Sequence, residues 1–160
     1  MTIRLTIFLP ALLLGFQCVA AAQAIPNTLW GKWIVKRVVP TTSISCWDDK
    51  DARRLIGTEL EYSAALFRWQ KTITKNPVVE IRTLTAEQFH DENSGRGKLS
   101  SQVYFSQLGI KQPQALQVAI HHPDADVAEG SAIPGDSVLV KDRNTILFPV
   151  CGLYFEAKRK

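Results

Sequence analysis

The sequence predicts a mainly β domain of eight or nine short antiparallel strands with one or two short helices. Two observations carry this prediction. Short runs of β-branched, aromatic or alternating polar and apolar residues recur along most of the chain, and turn-forming Gly, Pro, Asn and Asp residues separate them. Helical patterns are confined to two short segments. Many short strands with few helices are typical of a β-barrel or a β-sandwich.

The candidate strands are defined by β-branched and aromatic content or by a two-residue alternation. Ser63-Ala64-Ala65 and Asp142-Arg143-Asn144 each predict a hairpin between two of them. The candidate strands are Trp33–Val39, Thr58–Tyr62, Leu66–Trp69, Val78–Arg82, Gln102–Phe105, Leu116–Ile120, Val138–Val140, Ile146–Phe148 and Leu153–Phe155.

Two short helices are expected from their capping residues. Asp48 or Asp49 can cap a helix over Lys50–Ile56, and Gly57 stands at its stop position. The segment Thr85-Ala86-Glu87-Gln88 is a capping box that begins a helix of one or two turns.

The first 24 residues are predicted to be a signal peptide. Arg4 precedes an apolar run from Leu5 to Phe16, and Ala22-Gln23-Ala24 fits the small-x-small pattern of a signal-peptidase site. Cleavage is therefore expected before Ile25, which leaves one domain over residues 25–160 in the periplasm or outside the cell.

Two alternatives for this segment are less favoured. A membrane anchor needs a longer apolar run than this one, which also carries Pro10 and Gln17. Lipidation of Cys18 needs a small residue before the cysteine, where Gln17 stands. After this segment, no apolar run is long enough to span a membrane.

Export changes the interpretation of the cysteines. Cys46 and Cys151 are the two that remain after cleavage, and an even count in an oxidising compartment predicts one disulfide. A pair of free buried thiols or a redox pair is the alternative. No Cys-x-x-Cys motif occurs, which disfavours redox catalysis.

The charge of the chain is mild and dispersed. The formal net charge is +4, and the basic residues are scattered rather than concentrated with aromatics on one face. That pattern, together with export, excludes nucleic acid as the expected partner. Asp91–Lys98 and Pro123–Gly135 are rich in Gly, Pro and polar residues and are predicted to be loops.

A Gly-x-Trp motif on the first candidate strand, Gly31-Lys32-Trp33, resembles the lipocalin and calycin barrels. The resemblance implies a single antiparallel β-barrel in which Trp33 plugs one end and stacks on a basic residue near the C-terminus, Arg159 or Lys158. Gly31 then has a structural role. The wider pattern that is similar to small bacterial lipocalin-like proteins comprises Leu29–Trp33, Ile56–Tyr62, Asn76-Pro77 and Cys151–Glu156.

No catalytic, metal or cofactor site is predicted. His121 and His122 are adjacent, so on a strand they point to opposite faces and cannot easily chelate one ion with Asp124 and Asp126. His90, followed by Asp91, is expected at the end of a short helix rather than in a metal site. No Gly-x-Ser-x-Gly motif is present.

Two acidic residues on one strand face can imitate a catalytic pair. Glu59 and Glu61 are spaced about 7 Å apart along their strand, near the separation of glycosidase carboxylates. Alternating glutamates on the solvent face of an antiparallel sheet are far commoner, so a solvated face is favoured.

The functional hypothesis is based on the aromatic residues. Most must form the core, which is also the favoured role of Trp30 and Trp47. These two lie beside loop positions, however, and are the candidates for lining a mouth or a partner surface. The leading interpretation is an exported, non-enzymatic binding protein for a small apolar ligand or a periplasmic protein partner. The alternative is an exported immunity or inhibitor protein that neutralises a toxin, and a small hydrolase comes third.

Overall fold

The computed structural model describes residues 23–94, 102–122 and 133–160. Most of the predicted signal peptide, including Cys18, lies outside these residues, as do residues 95–98 of one predicted loop and Asp124 and Asp126 of the other. The elements are β1 (Gly31–Val39), α1 (Asp49–Leu55), β2 (Glu59–Ser63), β3 (Leu66–Trp69), β4 (Thr72–Lys75), β5 (Val78–Thr85), α2 (Ala86–Asn93), β6 (Gln114–His121), β7 (Ser137–Asp142), β8 (Thr145–Val150) and β9 (Leu153–Arg159).

The strands form one curled antiparallel sheet in the order β4-β3-β2-β1-β9-β8-β7-β6-β5. Every neighbouring pair is also consecutive in sequence, except that β1 pairs with β9. The sheet is therefore an up-and-down meander whose first and last strands pair at its centre. This confirms the predicted mainly β, barrel-type fold with two short helices.

The two edges of the sheet are joined directly. β4 and β5 are the first and last of nine strands that alternate in direction, so they run in the same direction, and only Asn76-Pro77 separates the two. β4 pairs with β3 and β5 pairs with β6, so together they act as one strand bent at Asn76, whose φ is 45°. The segment before β1 crosses this region, since Gln23 forms a bridge with Val79 and the Ile25 N–H donates to Ala64 O at 3.2 Å.

The connections between strands alternate between the two ends of the curled sheet, which we call the α1 end and the Arg159 end. The α1 end carries the β1–β2 connection with α1, the β3–β4 turn, the β6–β7 connection and the β8–β9 turn. The Arg159 end carries the β2–β3 turn, the β5–β6 connection, the β7–β8 turn and the chain from residue 27 to β1.

Each face of the sheet has its own core. The larger core joins side chains from strands as distant as β3 and β8, which only the concave face can bring together. The second core lies on the convex face, where Phe89 of α2 and residues 103–110 cover β7, β8 and β9. A bulge in β1 between Val35 and Arg37 reverses the alternation, so Val39 joins the second core beside Tyr154.

The capping residues place both helices as predicted. The Asp48 side chain accepts the N–H of Asp51 at 2.8 Å at the start of α1, and Gly57 follows the helix with φ 85°. At α2, Thr85 and Gln88 form the reciprocal hydrogen bonds of a capping box.

Two local predictions are wrong, and one strand is missing from the prediction. Residues 102–105 are not a strand: buried Val103 and Phe105 alternate with exposed neighbours, but the backbone bonds locally, with Ile110 N–H donating to Phe105 O at 2.9 Å. Residues 91–93 are the last turn of α2 rather than a loop. β4 is the missing strand, because its four residues, which include two Thr and one Lys, do not form a recognisable strand pattern.

Candidate functional site

Trp33 and Arg159 form a plug at the Arg159 end, in the geometry that the resemblance implies. The Trp33 ring is fully buried, and its Nε1 donates to Leu29 O at 2.7 Å. The Arg159 guanidinium carbon lies 4.1 Å from the centroid of that ring, a cation–π contact. The register explains this, since Trp33 pairs directly with Arg159 between β1 and β9.

Three backbone carbonyls hold the same guanidinium. Arg159 Nη2 donates to Thr28 O at 2.8 Å, Nε donates to Arg143 O at 3.1 Å, and Nη1 donates to Trp30 O. Gly31 makes room for this arrangement: its φ is 117°, and a Cβ there would lie 3.2 Å from Arg159 Nη1. A larger residue at position 31 would therefore strain both the backbone and the plug.

Cys46 and Cys151 are disulfide-bonded at the α1 end. Their Cα atoms are 5.4 Å apart, within the usual range for a disulfide, and the Cys46 N–H donates to Cys151 O at 3.1 Å. The bond ties the connection that carries α1 to the β8–β9 turn. Ala52 and Leu55 of α1 are buried in the larger core, so the helix covers this end of the sheet.

A cleft of about 400 Å³ lies between α1 and the β3–β4 turn. Its walls are Trp47 and Trp69, and we call it the Trp47–Trp69 cleft. Leu55 supplies further apolar surface, while Asp51 and Arg54 form an ion pair at 2.9 Å on the rim. Trp47 also contacts Phe155 edge-on, with ring centroids 6.4 Å apart, which links the cleft to the core.

The indole of Trp69 leaves one polar group without a partner. Its Nε1 is buried and makes no hydrogen bond within the described residues. A buried donor without an acceptor is costly, and such groups are uncommon in native proteins.

A larger cleft of about 760 Å³ lies at the Arg159 end, and we call it the Arg159-end cleft. It is bounded by residues 27–28, the start of β6, the β7–β8 turn and Arg159. Its apolar surface comes from Ala115, Leu116 and Val140, and polar or charged side chains form the rest of its wall.

The structure separates the two tryptophans that the sequence singled out. Trp47 lines a cleft, whereas Trp30 lies near the opposite end and lines none of the clefts described here. Trp30 is 45% exposed, and its Nε1 donates to Ile25 O at 2.8 Å. The sequence predicts Trp69 in the core and Arg143 in a turn. It gives no indication of which residues lie next to them in the folded chain.

His121 and His122 point to opposite faces, as predicted. His121 is exposed beside Glu80, with 3.6 Å between Nε2 and Oε2. His122 is mostly buried: its Nδ1 lies 2.8 Å from Thr74 Oγ1, and its Nε2 lies 3.9 Å from Asp136 Oδ2. Burial raises the pKa of Asp136, although the charge of His122 opposes this shift. Because the Thr74 hydroxyl is buried, this chain of groups offers no accessible nucleophile.

The two strand glutamates are paired with cations. Glu59 lies 2.7 Å from Lys32 Nζ and 3.1 Å from Lys160 Nζ, and Glu61 lies 3.2 Å from Arg68. Hydrogen bonds from Lys32 and Lys160 lower the pKa of Glu59. This arrangement is that of a solvated, ion-paired face rather than of a catalytic carboxylate pair.

Glu156 is the buried charge of the convex face. Arg37 Nη2 lies 3.1 Å from one of its oxygens, and Lys141 and Lys158 lie 3.5 and 3.6 Å away. Burial raises the pKa of Glu156, but the hydrogen bond from Arg37 and the three positive charges outweigh it, so the net pKa is lowered.

Glu156→Gln is expected to lower the free energy of unfolding by roughly 1–3 kcal/mol at pH 7, because it removes the charge that these cations stabilise. A lowered folded-state pKa means that this contribution is complete above the unfolded value and is lost as pH falls through the folded value. Urea melts between pH 7 and about pH 3 should show the difference from wild type shrinking. Glu59→Gln, on the solvated and only partly buried face, is the control, with little change expected. A Glu156→Gln deficit that does not shrink in acid would contradict the prediction.

No family model matches the chain, and neither the curated proteins nor the solved structures include a match. In the described ranges no helix is long and apolar enough to cross a membrane. Within the same ranges there is no group of three or more His, Cys, Asp or Glu side chains that could hold a metal ion.

Proposed function

We propose that this chain is an exported, non-enzymatic binding protein of lipocalin-like architecture, acting in the periplasm or after secretion, and that it takes a small apolar ligand in the Trp47–Trp69 cleft. The observation that carries the proposal is a cleft of about 400 Å³ walled by two indoles at one end of a curled β-sheet. This volume lies within the range of small-molecule sites, which are mainly apolar with a few polar groups.

The packing inside the curled sheet favours a ligand that binds at one end of the sheet rather than in its interior. Large aromatic side chains that are fully or almost fully buried occupy the concave face, including Trp33, Phe67, Phe148 and Phe155. A ligand therefore meets the barrel at its mouth, where the disulfide and the buried side chains of α1 hold one wall of the cleft in place.

The walls define the chemistry of that ligand. Two indole faces favour a flat apolar molecule. Arg54 and Asp51 neutralise each other at the rim, so no net charge is required.

Binding of N-phenyl-1-naphthylamine, a neutral fluorescent probe, tests the proposal. Trp47→Ala should weaken binding about tenfold, because it removes one aromatic wall. Trp69→Phe keeps an aromatic ring on the second wall, so it should weaken binding less than Trp47→Ala does. Trp30→Phe, at the opposite end, is the matched control and should bind normally. Unchanged binding by a folded Trp47→Ala protein would exclude this cleft.

A second candidate function is that of an exported inhibitor or immunity protein that binds a toxin. It is favoured by Ile73 and Val78, which are 49% and 53% exposed and lie on the outer face on either side of Asn76-Pro77, where the sheet edges meet. Edge strands and exposed apolar side chains are common protein-binding features. Capture of a partner from periplasmic extract should then be lost in an Ile73→Glu/Val78→Glu double variant and kept in Trp47→Ala.

A further inference from the structure

The Arg159-end cleft carries an excess of positive charge. Lys141, Arg143 and Arg159 line it, against a single carboxylate, Asp142. Lys141 is compensated outside the cleft by Glu156, at 3.5 Å. Within the described residues, neither Arg143 nor Arg159 has a carboxylate within ion-pair distance. The cleft therefore offers two arginines to an anion.

The same cleft has an apolar wall that continues into the core. Leu116 and Val140 are register partners between β6 and β7, and both pack against the larger core. Ala115, on the other face of β6, also lines the cleft because the strand begins there. The volume of about 760 Å³ suffices for a small molecule with an apolar chain.

We propose that this cleft binds a single-chain anionic amphiphile, with its carboxylate or phosphate head at Arg143 and Arg159 and its chain against Leu116 and Val140. Arg143 can match either head group because its planar guanidinium can donate two parallel hydrogen bonds. Arg159, whose three nitrogens already donate to backbone carbonyls, contributes mainly its positive charge. This site lies at the opposite end from the Trp47–Trp69 cleft and does not depend on it.

The position of Arg159 is fixed before any ligand arrives. Its guanidinium is stacked on Trp33 and bonded to the carbonyls of Thr28, Trp30 and Arg143. A cation that is already ordered loses little side-chain entropy on binding. Because those contacts also support the plug, Arg159 variants would mix binding with stability. Arg143, exposed in the β7–β8 turn, is the residue to change.

The test is calorimetric titration of the exported, mature protein with dodecanoate and dodecyl phosphate at low ionic strength. At least one of these anions should bind saturably. Dodecyltrimethylammonium, which has the same chain and the opposite charge, should bind at least about tenfold more weakly, and acetate should show no saturable binding. Absence of binding by both long-chain anions, or equal affinity for the cationic amphiphile, would overturn the proposal.

Variants assign the binding to this cleft. Arg143→Gln should weaken the anion about tenfold, and Arg143→Lys should restore part of the affinity because it keeps the charge. Val140→Thr should weaken it by placing a hydroxyl in the apolar wall. The matched control is Lys71→Gln, an exposed cation in the β3–β4 turn at the α1 end, which should bind as wild type does. Trp47→Ala should also leave this binding unchanged, so failure here is distinguishable from failure of the proposed function. Normal binding by Arg143→Gln would refute the site.

Discussion

Replacing Trp33 by alanine is expected to lower the free energy of unfolding by about 3–5 kcal/mol, the usual cost of truncating a large buried aromatic side chain. Trp33 has no exposed surface, it belongs to the larger core, and its indole nitrogen holds Leu29 O at 2.7 Å. Its loss removes packing inside the sheet and releases the segment before β1. Urea unfolding followed by far-ultraviolet circular dichroism measures the effect.

The partner in the plug provides the control. Arg159→Ala should cost less, about 1 kcal/mol, because the guanidinium is partly exposed. A double-mutant cycle with Trp33→Ala should show coupling, since the two side chains are in contact. If Trp33→Ala costs under about 1 kcal/mol, Trp33 is not a plug and the lipocalin resemblance loses its best residue.

Cys46→Ala is expected to lower the free energy of unfolding by about 2–5 kcal/mol. The disulfide spans a sequence separation of 105 residues, so its loss enlarges the unfolded ensemble considerably. It also frees the connection that carries α1 from the β8–β9 turn. Chemical denaturation of the oxidised protein and the variant measures the difference.

Two controls separate the bond from the side chain. The Cys46→Ala/Cys151→Ala double variant should be about as stable as the single variant, and reduced wild type should approach both. Non-reducing peptide mapping of the exported protein should recover the linked peptides. Two thiols that alkylate freely in the native protein would disprove the pairing.

The local pattern of the sequence predicted most of the secondary structure. Alternation and β-branched runs located eight of the strands, and capping residues such as Asp48 and Thr85 located both helices. These signals succeed because they act over a few neighbouring residues. Gln102–Phe105 failed because the same alternation serves a segment of turns that packs on the convex face.

The functional surface was less accessible to sequence reasoning. Trp47 was a candidate, but its partner in the cleft, Trp69, is 22 positions away and reaches it only through the β3–β4 turn. Arg143 gains its significance from Arg159 on β9 and Leu116 on β6, which are distant from it in the sequence. A linear pattern carries no information about such neighbours.

Short-range signals are enough to predict the strand-rich character and the two capped helices, because each rests on residue type and short spacing. The same kind of signal predicts export and the pairing of Cys46 with Cys151. The folded chain alone shows that β4 and β5 meet at Asn76-Pro77, that a bulge in β1 turns Val39 outward, and that clefts lie at both ends. The reason is physical: these features come from the curl and register of the sheet, which are set by contacts between residues far apart in the chain.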